Sequence, residues 1–410
     1  MRLTTLALLI LSALVLAGTP KFRTDADGPF DPKQTQRPTG KNAPPPSPPW
    51  YQLVEGQFPP ENSAHAIPGE LMLVDHLERR FQIRVDRADN QDRGIWDLPL
   101  DAVMLPYGAI WYHGAPAALQ DIPLGTHLHG LFYLKDPEDK TPPPPAANNR
   151  KTPEYEFRRC FLLEDDFTFQ ARQKQLWKID SIDPETKKLT ATLQVNGAPE
   201  GQPKIFDFTT GTRVFKGTGF ADLKALEPGQ TVLFNLTWVT LYGPGRITDM
   251  WLDEPSRSLA SAHQMELHRN HIRERGLAGW VSAVDDEAQI VTITFFGGID
   301  PKLFDDLGLP PLPPPPNATP KPGENPGDLR AGIAVARESL MTYDPVNDRK
   351  TGTLISTKKI PAEPGSSGVQ IQVKVDMMLE GYRPKKIVRV YPGAWKVNAL
   401  PKEEQYFGRE

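Results

Sequence analysis

Three stretches of the chain share one pattern of apolar and polar positions. They are LMLVDHLERRFQIRV from Leu71, IDSIDPETKKLTATL from Ile179 and VSAVDDEAQIVTITF from Val281. In each, an apolar residue stands three positions before a β-branched residue that is followed by aspartate: Val74–Asp75, Ile182–Asp183 and Val284–Asp285. Seven positions after the β-branched residue, apolar side chains begin to alternate with polar ones. They are Phe81, Ile83, Val85; Leu189, Ala191, Leu193; and Val291, Ile293, Phe295. Period-two alternation is a strand with one buried face, and the polar run after the aspartate is a hairpin turn. Each stretch predicts two paired strands, and matching spacing three times over marks an internal repeat.

The downstream parts repeat as well. Leu119, Ile122 and Gly125 share a frame with Leu223, Leu226 and Gly229. Helical spacing of two apolar residues followed by glycine predicts a short helical turn that glycine stops ahead of a strand. In the third copy GVQIQVKV from Gly368 is assigned the matching strand, without the helical turn. FRRCF from Phe157, ITDMW from Ile247 and IVRVY from Ile387 read as closing strands. Strand, strand, variable strand, helical turn, strand, strand is the order of an OB-type barrel. The expectation is an all-β protein of three tandem five-stranded OB-like barrels, over residues 67–166, 172–254 and 277–397. One connecting helix is expected at 256–276, closed by Gly276, and its His268 and His271 are read as a solvated helix surface.

Composition adds the segments between and before these units. Of 410 residues 44 are proline, many in runs, which mark extended segments rather than core. Residues 18–66 read as a disordered tether, and 136–155 and 308–328 as proline-rich insertions in barrels one and three. Residues 1–17 read as a signal peptide: Arg2, an apolar run from Leu6 to Ala17, and small side chains ahead of Gly18. The expectation is a soluble exported protein, periplasmic or extracellular, with no transmembrane segment once the signal is removed. Cys160 is the one cysteine, so no intrachain disulfide forms, and its apolar neighbours predict an inert buried thiol. The net charge is −4, and the basic pairs at the first two hairpins, Arg79–Arg80 and Lys187–Lys188, give way to Asp286–Glu287 at the third. Without a positive stripe, no nucleic-acid partner is expected. The hairpins and the Leu-x-x-Leu-x-x-Gly units resemble exported bacterial proteins of unknown function built from tandem OB-like barrels. That resemblance implies a fold and an envelope setting, and carries no catalytic residues.

GTHLHGLFYL, from Gly125, sets His127 and His129 on the outer face of a strand, about 7 Å apart. Two imidazoles at that spacing reach one metal ion, and His113 of WYHG is the nearest third ligand in sequence. The pair also looks like the His-x-His-Gly element of multicopper oxidases, whose further histidine clusters and cysteine motif are absent. Leu131 and Tyr133 continue the same face, and such a face suits packing against a neighbouring barrel or helix. The packing reading is preferred. Asp165–Asp166, Asp285–Asp286 and Asp305–Asp306 fall at strand ends and read as turn residues or solvated charges, not as a carboxylate pair across a cleft. Trp96, Tyr107, Trp111 and Tyr112 gather in copy one and offer rings for stacking a glycan, or else core packing. No cofactor fingerprint occurs. The sequence thus points to a non-catalytic binding or scaffolding protein with an envelope glycan or protein partner. The alternatives are a metal-dependent hydrolase using His113, His127 and His129, and a purely structural envelope component.

Overall fold

A computed structural model describes residues 51–86, 99–136, 138–140, 157–239, 243–312, 332–338, 349–398 and 400–401. The signal peptide, most of the tether, Trp96 and most of both proline-rich insertions lie outside the described residues.

Barrel one consists of β1 (His65–Asp75), β2 (Arg80–Val85), β3 (Pro99–Tyr112), β5 (His127–Leu134) and β6 (Phe157–Asp165), with the short β4 (Ala115–Pro116) folded onto β3. Its strands pair in the cyclic order β1-β2-β3-β6-β5, all antiparallel except β3 with β6. Barrel two repeats that order with β7 (Gln175–Asp183), β8 (Lys188–Val195), β9 (Ala198–Asp207), β13 (Arg246–Trp251) and β12 (Thr231–Thr237). The parallel contact is again between third and fifth strands, Asp207 beside Arg246. A ribbon of β10 (Arg213–Lys216) and β11 (Gly219–Ala221) extends from β13. Helix α1 (Asp166–Arg172) joins the first two barrels, and α2 (Glu254–Arg275) joins the second to the third.

The repeated hairpin has a physical basis visible at each turn. Asp75 Oδ1 accepts from the N–H groups of Leu77 and Glu78, Asp183 Oδ1 from Glu185 and Thr186, and Asp285 Oδ1 from Ala288. The conserved spacing places the aspartate where its short carboxylate caps the turn's free donors. Four residues on, Arg79, Lys187 and Gln289 all take positive φ, at 51°, 55° and 55°. The first strand of each barrel also carries a bulge at the same place, after Leu71, Ile179 and Val281. Bulges of this kind bend a strand and raise its twist, which a small closed barrel requires.

Barrel three departs from the five-stranded expectation. It is a closed barrel of β14 (Leu277–Asp285), β15 (Ile290–Phe296), β18 (Ser366–Val375), β17 (Arg349–Lys359), β16 (Ile333–Arg337) and β19 (Ile387–Tyr391), in that cyclic order. All its pairings are antiparallel. The Gly368 strand, β18, pairs with β15 and is not the counterpart of β5 and β12. That counterpart is β19, which pairs with β14. In barrel one Leu71 donates to Thr126 O and accepts from Gly125 N; in barrel two Ile179 does the same with Gln230 and Gly229. In barrel three Val281 bonds Lys386 and Lys385 in this way. A short 3₁₀ turn, Glu380–Tyr382, precedes β19 as others precede β5 and β12. Lys385, at φ 72°, stands where the other copies have glycine, which hides the motif in the sequence.

Each barrel holds its own core. Phe81, Ile83, Leu128 and Phe132 are central to the first, Ile179, Phe206 and Phe234 to the second, Val291, Phe295 and Val390 to the third. Cys160 is buried in the first core, where burial pushes its thiol well above the ordinary value. Residues 51–64, within the stretch read as tether, are described and packed. Phe58 lies against Trp280 and Tyr107, at ring-centre distances of 4.3 and 5.5 Å.

Candidate functional site

Strand alternation sends Leu128 and Phe132 of β5 into the barrel and turns His127 and His129 outward. Outward here is not toward water. The face is covered by α1 and by β12 of barrel two, leaving His127 only 4 % exposed. Asp165 caps α1, its Oδ1 accepting from Thr168 N at 3.0 Å, so the next residue, Asp166, is fixed in the first helical turn. Asp166 Oδ1 then lies 2.7 Å from His127 Nδ1 and 3.0 Å from His129 Nε2, while its Oδ2 accepts from Leu236 N of β12 at 3.0 Å. His127 Nε2 meets a second carboxylate, Asp86 Oδ2, at 2.9 Å.

These contacts determine the protonation state. A carboxylate only accepts, so His127 holds both bonds by carrying a proton on each nitrogen. Burial alone would lower its pKa. The Asp166 charge and the bonds to Asp166 and Asp86 outweigh that and raise it to about 10. Burial likewise opposes the charge of Asp166, and the two histidines overcome it, holding the carboxyl well below its ordinary range. His129 is more open and stacks flat on Phe169 of α1, ring centres 3.8 Å apart.

The same seam carries a second layer. Asp165 Oδ2 accepts from Asn235 Nδ2 at 2.9 Å, and Asn235 Oδ1 accepts from Phe167 N at 2.9 Å. Glu70 of β1 pairs with Arg84 and accepts from Trp238 N at 3.1 Å. Thus Asp165–Asp166, read from sequence as turn or solvated charge, is buried at the joint between barrels. A strand end that meets another barrel is not a solvent-facing end, and the sequence of one barrel does not display its neighbour.

His113 stands apart from this cluster. It turns at φ 51° beyond β3, stacks on Tyr112 at 3.8 Å and meets Trp251 of barrel two edge-on at 4.8 Å. Burial lowers its pKa, against the raising effect of Asp165 and Asp249. The group able to present three ligand atoms to one ion is His127, His129 and Asp166, all within 4.8 Å of one another.

Of the aromatic quartet Trp96 lies outside the described residues, and the other three do not share one exposed face. Tyr107 is buried between barrels one and three against Trp280 and Phe296, and Tyr112 is in the first core. Trp111 is half-buried beside Glu164. The helix histidines are a correction as well. His268 is buried, its Nε2 accepting from Asp300 N at 3.2 Å, and burial pushes its pKa down to about 4.

No protein-family model and no curated protein matches the chain. Among solved structures, a Cu(II) structure of a CusF variant from Escherichia coli is 18 % identical, covering 20 % of this chain and 90 % of that one, with a TM-score of 0.15. The CSD456 segment of Drosophila Unr is 12 % identical over 56 % of this chain and 78 % of its own, also with a TM-score of 0.15. Such partial likenesses carry no argument about ligand or reaction.

Proposed function

We propose that this chain is a non-catalytic binding or scaffolding protein, exported to the bacterial envelope or beyond, whose barrels present their free faces to a protein or glycan partner as one rigid body. One observation carries the reading: His127 and His129 are already bonded to Asp166, and Asp166 in turn to the main chain of barrel two. A doubly bonded, protonated imidazole has no lone pair for a metal or for a substrate proton. Barrel two offers such a surface, with β9 exposed along most of its length and Phe220 of the β10–β11 ribbon 75 % exposed. Among the described residues no helix is long and apolar enough to cross a membrane.

The competing reading, a metal-dependent hydrolase, would use His127, His129 and Asp166, with His113 outside the ligand set. Metal analysis by mass spectrometry separates the two. After dialysis against trace zinc and copper, wild-type chain and an Asp166→Asn variant should both carry far less than one ion per molecule. Near-stoichiometric metal in the wild type, lost in the variant, would replace the binding reading with the hydrolase.

A further inference from the structure

Where barrel one, barrel three and α2 meet, the fold leaves a cavity of about 200 Å³. The first hairpin lines it with Arg79, the last turns of α2 with His268, His271 and Arg275, and barrel three with Glu338 and Arg389. Among the described lining residues three guanidinium groups face a single carboxylate. Two of the three have acidic partners: Arg389 pairs with Glu338 at 2.6 Å, and Arg275 with the outward-facing Glu274 at 3.1 Å. Arg79 has none. Its Nη1 and Nη2 donate to the carbonyls of Pro106 and Gly108, each at 3.2 Å, and the rest of its donor fork meets no protein acceptor among the described residues. Arg79 lies deep in the molecule yet keeps accessible surface, because it faces the cavity.

A buried charge bonded directly only to neutral carbonyls, and sharing one carboxylate with two other guanidinium groups, is costly unless something else neutralises it. Burial lowers the Arg79 pKa to about 10. His271 feels the same field: burial first, then Arg275, Arg389, His268 and Arg79, push its pKa well down, so it is neutral. Its ring makes no hydrogen bond among the described residues and supplies an N–H to the cavity. The volume is below the roughly 300–1,000 Å³ of pockets that hold drug-sized ligands. Positive, donor-rich and small, it matches a compact anion.

We propose that this cavity is a binding site for a small tetrahedral oxyanion, phosphate or sulfate, free or as the head of a compact monoester, held by the free donors of Arg79 and the ring of His271 within the field of Arg275 and Arg389. Planar guanidinium forks match the geometry of such oxygens. The site is separate from the barrel one–barrel two seam and does not depend on how that seam or the export signal is read.

Calorimetric titration of the full chain tests it, with inorganic phosphate, sulfate and a methyl phosphate as probes and chloride at equal ionic strength as control. The expected result is saturable one-to-one binding of at least one oxyanion and none of chloride. Binding should weaken at least about tenfold in Arg79→Leu and in His271→Leu. His271→Leu removes a ring that bonds nothing in the protein, so it should fold as the wild type does and keeps the test valid if Arg79→Leu does not fold. Preference for the monoester over both inorganic ions would identify a phosphoester as the source. Absence of saturable binding by the wild type, or binding unchanged in His271→Leu, would overturn the proposal.

Discussion

Asp166 shows how one side chain can define a joint. It ties β5 of barrel one to the main chain of barrel two through both oxygens, and its charge keeps His127 protonated. Removing one member of a buried pair strands the other, so Asp166→Asn should lower stability by roughly 3–5 kcal/mol in urea unfolding. The pH dependence follows from the same pair. His127 has its pKa raised from 6.5 to about 10, so its contribution is complete below about pH 6.5 and is lost as pH climbs toward 10. Asp166 has its pKa lowered, so its contribution is present above its ordinary value of 3.8 and is lost as pH falls below it. Stability from the seam should therefore peak between about pH 4 and 6.5. In His127→Gln the decline above pH 6.5 should flatten; an unchanged decline would mean that another group produces it.

At the scale of elements, much was legible in the chain. The aspartate turn, the bulge and the alternating second strand are local, so short-range pattern exposed them in Leu71–Val85, Ile179–Leu193 and Val281–Phe295. Barrel three misled because its counterpart of the Leu-x-x-Leu-x-x-Gly unit, Leu379-x-x-Tyr382-x-x-Lys385, has lysine where glycine was the marker, while Gly368 supplied a false one. Pairing of β18 with β15 is a long-range choice that alternation within a strand cannot disclose. A side-chain-bearing residue in the left-handed region costs roughly 1–2 kcal/mol relative to its usual backbone. Lys385→Gly should accordingly stabilise the chain by roughly 1 kcal/mol in thermal unfolding, and Gly125→Ala, at φ 86°, should destabilise it by at least as much. Opposite signs would contradict the assignment of these two positions as equivalents. The candidate site was half legible: the histidine face followed from alternation, but Asp166 as its partner came from a helix cap and a second barrel.

For the whole molecule, the three barrels read from sequence as tandem units are packed against one another. Barrel one meets barrel two through charges and buried amides, and barrel three through the rings of Tyr107, Trp280, Phe296 and Phe58. Helix α2 spans the gap with a polar stripe: Ser261 Oγ donates to His113 O at 2.6 Å and Gln264 Nε2 to Asp121 at 3.0 Å in barrel one. Further along, Arg269 Nε lies 2.6 Å from Asp300 in barrel three. Four buried residues, Ser256, Gln264, His268 and Ile272, are mostly polar, which fits a strut between barrels better than a core helix. Rigid placement of several surfaces lowers the entropy lost on binding an extended partner. Scanning calorimetry tests this central claim most directly. The wild type should unfold in one cooperative transition, with calorimetric and van't Hoff enthalpies in agreement. Asp166→Asn and Trp280→Ala should each release one barrel as a separate, earlier transition. A wild type that already melts barrel by barrel, or variants that still melt as one at an unchanged temperature, would contradict the account.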